Sequence, residues 1–160
     1  MLRSATFSSC RTFRYSLSRV WNPRLPSVMF VGLNPSTADE NEDDPTVRRC
    51  IGFGRKWKYG GLILVNLFAY RATDPVGLLD ADDPIGPAND KYILASARAT
   101  GLIVVAWGTR GAVLDRDQHV LSLLPGAHCL GITKEGRPKH PLYLAGNTRL
   151  RRFSAVPAAA

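Results

Sequence analysis

Three short apolar runs constrain the fold of this chain more than any other feature. They are Ser27–Leu33 (SVMFVGL), Gly61–Leu67 (GLILVNL) and Gly101–Trp107 (GLIVVAW), each of strand length. Strands that are apolar at every position have both faces buried, which is typical of a parallel sheet covered by helices on both sides. All three runs are far shorter than the ~20 residues of a membrane-spanning helix. We therefore expect no membrane association.

The segments between these runs carry helix signals. Asp44-Pro45 is a helix start, with a capping residue followed by proline at the first helical position, and Gly60-Gly61 ends the same helix. Two more helices are predicted over Asn89–Thr100 and Gly111–Leu124, and a last strand near His128–Ile132. Alternating strands and helices predict the α/β class, as a three-layer α/β/α sandwich with a mostly parallel central sheet.

The length of 160 residues fits one domain. We divide residues 1–160 into N-terminal strands (1–26), a core (27–144) and a tail (145–160). The first 26 residues contain five arginines and no acidic residue, a composition also found in transit peptides. However, Thr12–Trp21 alternates bulky and polar residues as a strand does. We therefore interpret this segment as the first strands of the fold.

Charge and cysteine content limit the classes of protein and site. Lys and Arg total 21 against 13 Asp and Glu, for a net charge of +8. This excess of positive charge favours a polyanionic partner, such as nucleic acid or a nucleotide. The three cysteines are odd in number and lack CxxC spacing. That excludes a disulfide framework or a four-cysteine metal site built from this chain alone, and predicts a reducing, cytoplasmic compartment.

Ligands of open α/β sheets bind beyond the carboxyl ends of the strands, so the polar residues there are candidates. Asn34 follows the first apolar run, and Pro35 restricts its backbone. Asn66 ends the second run, and its carboxamide has a donor and an acceptor that could pair with a base edge. Phe68 or Tyr70 could supply a stacking face. An ordinary turn and a strand-end cap are the structural alternatives for the two asparagines.

Two later loops add candidates of a different kind. The turn Gly108–Gly111 opens a helix whose N-terminus could accept an anion. His140 lies in a proline-rich basic loop, where we predict a functional rather than a structural role. The predicted phosphate or nucleic-acid contacts are Ser36, Arg137, Lys139, Arg149, Arg151 and Arg152.

One acidic run precedes the first predicted helix. It has two interpretations: it could chelate a hard cation, or it could cap the helix N-terminus and solvate the loop. Its members are Asp39, Glu40, Glu42, Asp43 and Asp44.

Four motifs in this order resemble those of the uracil-DNA glycosylase superfamily, and more closely its mismatch-specific branch. They are Gly32–Pro35, the strand ending in Asn66, Val104–Gly108 and His140-Pro141. The resemblance implies that Asn34 positions the attacking water, that Asn66 reads a flipped base, and that His140 stabilises the oxyanion of the departing base. It also implies a uracil-DNA glycosylase-like fold.

The pattern is also similar to an uncharacterised bacterial and phage family, a domain of unknown function. The matching segments are Arg14–Arg19, Leu33–Asp39, Asp44–Thr46, Asn66–Ala69 and His140–Tyr143. The chain departs from the glycosylase pattern after His140-Pro141, where Leu142 and Tyr143 replace the usual serines. Asn34 cannot act as a general base, which leaves water positioning or a contribution from Asp39.

These observations predict a domain that hydrolyses the N-glycosidic bond of a base in DNA or in a nucleoside. The reaction needs no metal and no organic cofactor. A non-catalytic module that binds a nucleotide or nucleic acid is the first alternative. The second is a transferase on the same fold, with Ser36, Asp39 or Cys50 as the nucleophile.

Overall fold

A computed structural model describes residues 1–154 of the protein as a mixed α/β structure built on one seven-stranded sheet. The strands are β1 (Leu2–Phe7), β2 (Arg14–Val20), β3 (Ser27–Gly32), β4 (Gly61–Asn66), β5 (Leu102–Val105), β6 (His128–Cys129) and β7 (Arg151–Arg152). The α-helices of this part of the chain are α1 (Pro45–Lys56), α2 (Asn89–Arg98) and α3 (Arg116–Leu123). Short 3-10 helices cover Pro75–Asp80, Thr109–Asp115 and Pro141–Tyr143.

The sheet is parallel only in its centre. Its strand order is β1-β2-β4-β3-β5-β6-β7. The four strands β4, β3, β5 and β6 pair in parallel, whereas β1, β2 and β7 join antiparallel. The prediction of a mostly parallel sheet was therefore wrong at the edges. A short connection links β1 to β2, and strands joined in this way pair antiparallel because a parallel pair needs a long crossover.

Buried apolar side chains cover both faces of the sheet. On one face Val47 and Phe53 of α1 pack with Phe30 and Leu64 of the central strands. On the other face the buried cluster contains Ile93 of α2, Val120 of α3 and strand residues of β3, β4 and β5. Helix α1 thus packs on one cluster, and helices α2 and α3 pack on the other.

The start of α1 was predicted correctly from its capping residues. Asp44 is the N-cap, and its Oδ1 accepts a hydrogen bond from Val47 N at 2.8 Å. Pro45 occupies the first helical position, where its missing N–H costs nothing. The prediction for α2 was also correct at its first residue, Asn89.

The predicted helix over Gly111–Leu124 was wrong in its first half. Thr109–Asp115 forms a 3-10 segment in which Leu114 (φ 57°) and Asp115 (φ 52°) adopt left-handed backbone conformations. The segment packs against Trp107, since a Cβ at Gly111 would lie only 2.2 Å from Trp107 Cδ1. The chain therefore follows the indole before it turns into α3.

The C-terminal part of the chain adds an edge to the sheet. The predicted strand His128–Ile132 is limited to His128–Cys129, which pairs antiparallel with Arg151–Arg152. The described portion of the predicted tail thus contributes β7, and residues 155–160 of that tail lie outside the described part. Among residues 1–154, every helix is too short or too polar to cross a membrane.

Candidate functional site

A cleft of about 220 Å³ lies where β3 and β4 end, and we call it the inner cleft. Its walls include the predicted site residues Asn34, Ser36, Asn66 and His140. These residues come from distant parts of the sequence, and the strand ends and the 141–143 turn bring them together. A wider cleft of about 480 Å³, the outer cleft, adjoins it. The two share Leu33, Pro75, Trp107, His140 and Tyr143 as lining residues.

Asn66 is the last residue of β4 and is only 3% exposed. Its Nδ2 is buried without a hydrogen-bond partner among residues 1–154. Gly32 is its register partner on β3, and a Cβ at that position would lie 2.7 Å from Asn66 Oδ1. Because Gly32 has no side chain, the carboxamide of Asn66 can occupy this space. A buried amide donor without a partner is rare in proteins and is suited to a ligand acceptor.

A network behind the cleft fixes the backbone at Asn66. Asn89 Nδ2 donates to the carbonyl oxygens of Asn66 and Leu67, both at 3.0 Å. Arg116 Nε donates to the same Leu67 oxygen at 2.7 Å. These bonds hold the carbonyls at the end of β4, and neither Asn89 nor Arg116 lines the inner or the outer cleft.

Asn34 is held in one orientation by its own amide nitrogen. Nδ2 donates to Ala72 O at 2.7 Å and to Pro35 O at 3.1 Å. Oδ1 makes no hydrogen bond to any of residues 1–154, which leaves an oriented acceptor on the cleft wall. Such an acceptor can position a water molecule but is too weak a base to deprotonate it.

His140 has a defined tautomer. It caps the 3-10 turn Pro141–Tyr143, and its Nδ1 accepts a hydrogen bond from Leu142 N at 3.2 Å. Because Nδ1 accepts, the neutral ring carries its proton on Nε2. Burial lowers the pKa of His140 below its ordinary value, and the nearby carboxylate of Asp44 acts weakly in the opposite direction. The ring is therefore a neutral donor near pH 7.

Tyr143 lies beside this histidine. The two ring centroids are 5.7 Å apart, and Tyr143 is 85% exposed although it lines both clefts. An exposed aromatic ring at a cleft mouth is suited to stacking on a nucleobase.

Two charged residues of the inner cleft were not predicted as site residues. Arg14, at the start of β2, is 1% exposed; its Nη1 donates to Ala38 O at 2.8 Å, and its Nε is buried without a partner among residues 1–154. Burial lowers the pKa of Arg14 to about 10, so the group remains charged at neutral pH. Asp44 combines its capping role with a place on the cleft wall. The sequence signal that could have identified Arg14 is its position at the start of a strand whose residues Tyr15 and Leu17 belong to the core.

Four predicted residues, Phe68, Tyr70, Asp39 and Cys50, do not line the inner cleft. Phe68 is fully buried in the core, so it offers no stacking face, and Tyr70 packs edge-to-face against Phe13. Asp39 Oδ1 accepts hydrogen bonds from Asn41 N and Glu42 N, both at 2.8 Å, which lower the pKa of this carboxyl and fold the acidic loop on itself. Asp39 does not line the inner cleft, whereas Asn34 does. Cys50 is buried in α1, and burial raises the pKa of its thiol.

The predicted phosphate contacts are dispersed. Lys139 lines the outer cleft beside Arg110. Arg137 is instead engaged by the buried carboxylate of Asp117. Arg149 is exposed and lines neither cleft, and Arg151 and Arg152 form the exposed strand β7.

The carboxylates of the acidic run have other partners. Glu40 pairs with Arg11, Asp43 pairs with Arg19 and Arg3, and Asp44 caps α1. Within residues 1–154 no three His, Cys, Asp or Glu side chains are grouped as a metal ion would require.

Comparison with known families gives one match. The model of the family described as "Protein of unknown function (DUF1643)" matches residues 14–142, most of the chain. The chain belongs to this family. The matched DUF1643 region contains the inner-cleft residues Arg14, Asn34, Asp44, Asn66 and His140. No curated protein and no solved structure matches the chain significantly.

Proposed function

We propose that this DUF1643 protein is an N-glycosidase with a uracil-DNA glycosylase-like three-layer fold, which hydrolyses the bond between a base and its sugar in DNA or in a nucleoside. One observation carries the proposal. The unpartnered amide of Asn66 shares a small cleft with Asn34 and His140, and these three residues are the ones to which the motif resemblance gives roles. Their proximity supports a common site, because the sequence alone leaves them far apart.

In the proposed reaction the base leaves as an anion. The bond between C1′ and the base nitrogen breaks, its electron pair goes to the base, and the sugar becomes oxocarbenium-like. His140 donates from Nε2 to the oxygen of the departing base, a preorganised interaction that contributes about 3–4 kcal/mol per donor in other enzymes. Asn66 holds the base edge through Nδ2 and Oδ1. Tyr143, rather than the buried Phe68, stacks on the base.

The attacking water lies on the other side of the sugar. Asn34 Oδ1 accepts a hydrogen bond from that water and orients its oxygen toward C1′. Asp44 is the only carboxylate on the inner-cleft wall among the described residues, and it takes the proton that the water releases. The released base is then protonated by solvent. Asp44 thus replaces Asp39 in this role, because Asp39 lies outside the cleft.

A binding module without catalysis is the second candidate. The observation that favours it is that Asp44 Oδ1 already accepts a hydrogen bond from Val47 N, which leaves a single carboxylate oxygen for proton transfer.

A transferase is supported less well. Of its three candidate nucleophiles only Ser36 lines the inner cleft, because Cys50 is buried and Asp39 is elsewhere.

A base-release assay tests the proposal. Single- and double-stranded oligonucleotides that contain uracil, hypoxanthine, xanthine or modified pyrimidines are incubated with the protein, and abasic sites are scored by alkaline cleavage. We expect release by the wild type on at least one substrate. Asn66→Ala and His140→Ala should each lose about 100-fold or more in rate, as removal of a positioned donor does elsewhere. Asn34→Ala removes the acceptor that orients the water and should lose about 100-fold as well.

Matched variants separate chemistry from folding. Asp44→Asn keeps a good helix cap but removes the charge, so it should lose activity while unfolding at the same temperature as the wild type. Asn22→Ala and His119→Ala change the same residue types away from both clefts and should retain full activity. Retention of oligonucleotide with no release of any base would contradict hydrolysis and favour the binding module.

A further inference from the structure

The inner cleft contains a buried cation, Arg14. The carboxylate of Asp44, on the same cleft wall, acts to raise the pKa of Arg14 but forms no ion pair with it. Arg14 is 1% exposed and makes no ion pair among residues 1–154. Arg19, on the same strand and equally buried, differs in that it pairs with Asp43 at 2.8 Å. A buried charge without a partner is costly in a folded protein, so it is normally compensated by a counter-charge or by a ligand.

The guanidinium of Arg14 has unused donors. Its one side-chain hydrogen bond to residues 1–154 runs from Nη1 to Ala38 O, and Nε is buried without a partner. An arginine has five N–H donors in a planar fork, which matches two oxygens of a phosphate. Arg14 is one of the residues that line the inner cleft.

The surroundings of Arg14 suit a phosphate better than a neutral group. The hydroxyls of Ser36 and Thr46 line the same cleft, and Thr46 belongs to the first turn of α1, where the helix dipole favours negative charge. Arg110 and Lys139 line the adjoining outer cleft. Asp44 opposes an anion here, but its Oδ1 is neutralised in part by the hydrogen bond from Val47 N.

We propose that Arg14 anchors a phosphate site in the inner cleft, with Ser36 and Thr46 as further donors, so that the ligand of this protein carries a phosphoryl group. The phosphoryl group belongs either to a free nucleotide or to the backbone of a nucleic acid. That the same ligand presents a base to Asn66 rests on the proposed function, whereas the phosphate site does not.

Calorimetric titration of the wild-type protein tests the site directly. The probes are inorganic phosphate, uridine and guanosine 5′-monophosphates, the two corresponding nucleosides, and a short single-stranded oligonucleotide without a terminal phosphate. We expect each nucleotide to bind about tenfold or more tightly than its nucleoside, the ratio that one charge-assisted hydrogen bond provides. Tighter binding of the mononucleotide indicates a free nucleotide as ligand, and tighter binding of the oligonucleotide indicates a backbone phosphate.

Arg14→Lys keeps the positive charge but removes the fork, and should abolish the preference for the nucleotide. Arg19→Lys is the matched control, because it makes the same change in a buried arginine that already has a partner, and should leave the preference unchanged. If Arg14→Lys does not fold, the wild-type comparison alone decides. Equal binding of nucleotide and nucleoside, with no binding of inorganic phosphate, overturns the site. Nucleotide preference without base release supports the site and contradicts only the glycosidase.

Discussion

At the scale of single residues, the candidate site combines a neutral histidine with a buried cation. His140 donates from Nε2 because Nδ1 is occupied by Leu142 N, while Arg14 remains charged at neutral pH. Asn34 and Asn66 differ in which atom of the side-chain amide is already hydrogen-bonded within the protein. Asn34 has its amide nitrogen bound and its oxygen available, whereas Asn66 has its amide nitrogen available. Besides the carboxylate of Asp44, the cleft therefore offers an oriented amide acceptor and several donors.

The titration of His140 gives a prediction about stability. Burial lowers the pKa of His140 in the folded protein below the value of about 6.5 in an unfolded chain. Between these two pKa values the unfolded state binds more protons, so stability is lost as the pH falls through this range and is fully present above about 6.5. His140→Gln removes this titration. The free energy of unfolding of the wild type, relative to that of His140→Gln, should therefore decrease on acidification below pH 6.5.

Urea unfolding of both proteins between pH 8 and pH 5 measures this difference. Asp44 acts against the shift and Lys139 is adjacent in sequence, so the comparison is made at constant ionic strength. His119→Gln, a change in an exposed histidine, serves as the control. A relative stability that stays constant or rises toward pH 5 would show that the ring is not buried in its neutral form.

At the scale of elements, local signals predicted the starts of α1 and α2 but not the start of α3. Asp44-Pro45 marked the first residue of α1, because a capping side chain and a proline act within one turn. The break at Leu114 had no such signal. Leucine rarely adopts a left-handed conformation, and the break arises from the packing of the 109–115 segment on Trp107, which is a tertiary contact.

Leu114→Gly tests the strain in that segment. Leu114 has φ 57° and is 65% exposed, so its side chain contributes little packing. A left-handed conformation destabilises a non-glycine residue by about 1–2 kcal/mol, and glycine removes this cost. Glycine also lowers the free energy of unfolding by about 0.5–1 kcal/mol, because it increases the entropy of the unfolded chain. We expect a gain of ~0.5–1 kcal/mol in the free energy of unfolding by urea. Leu79→Gly, an exposed leucine in the 3-10 helix Pro75–Asp80, should instead lose stability.

At the scale of the whole molecule, the apolar runs predicted the central strands β3, β4 and β5 of a mixed α/β structure. They did not predict the antiparallel edges, since the direction of a strand depends on its connections and not on its own residues. The same limit applies to the site. The ends of β3 and β4 pointed to Asn34 and Asn66, but Arg14 reaches the cleft from the antiparallel strand β2, and Asp44 reaches it from a helix cap. Only the assembled sheet brings these two groups together.

The net charge of +8 makes salt dependence a property of the whole molecule, yet its cations are not equivalent. Lys139 lines the outer cleft, whereas Arg137 is held by Asp117, whose side chain is almost fully buried. Each phosphate contact contributes about 0.7 to the slope of log K against log salt for single-stranded nucleic acid. If the proposed nucleic-acid partner is correct, Lys139→Gln should lower that slope by about 0.7 with no change in the unfolding midpoint.

Arg137→Gln should lower the stability of the protein and leave the salt slope unchanged. Loss of the guanidinium leaves Asp117 buried without its counter-charge, which costs about 2 kcal/mol or more in the free energy of unfolding. Its salt slope should stay at the wild-type value, because the paired arginine is not available to a phosphate. Fluorescence anisotropy with a labelled oligonucleotide at several salt concentrations, together with urea unfolding, measures both quantities. A wild-type slope for Lys139→Gln would mean that Lys139 of the outer cleft does not contact the backbone, and nucleic-acid binding would then have to use the inner cleft or another face of the protein.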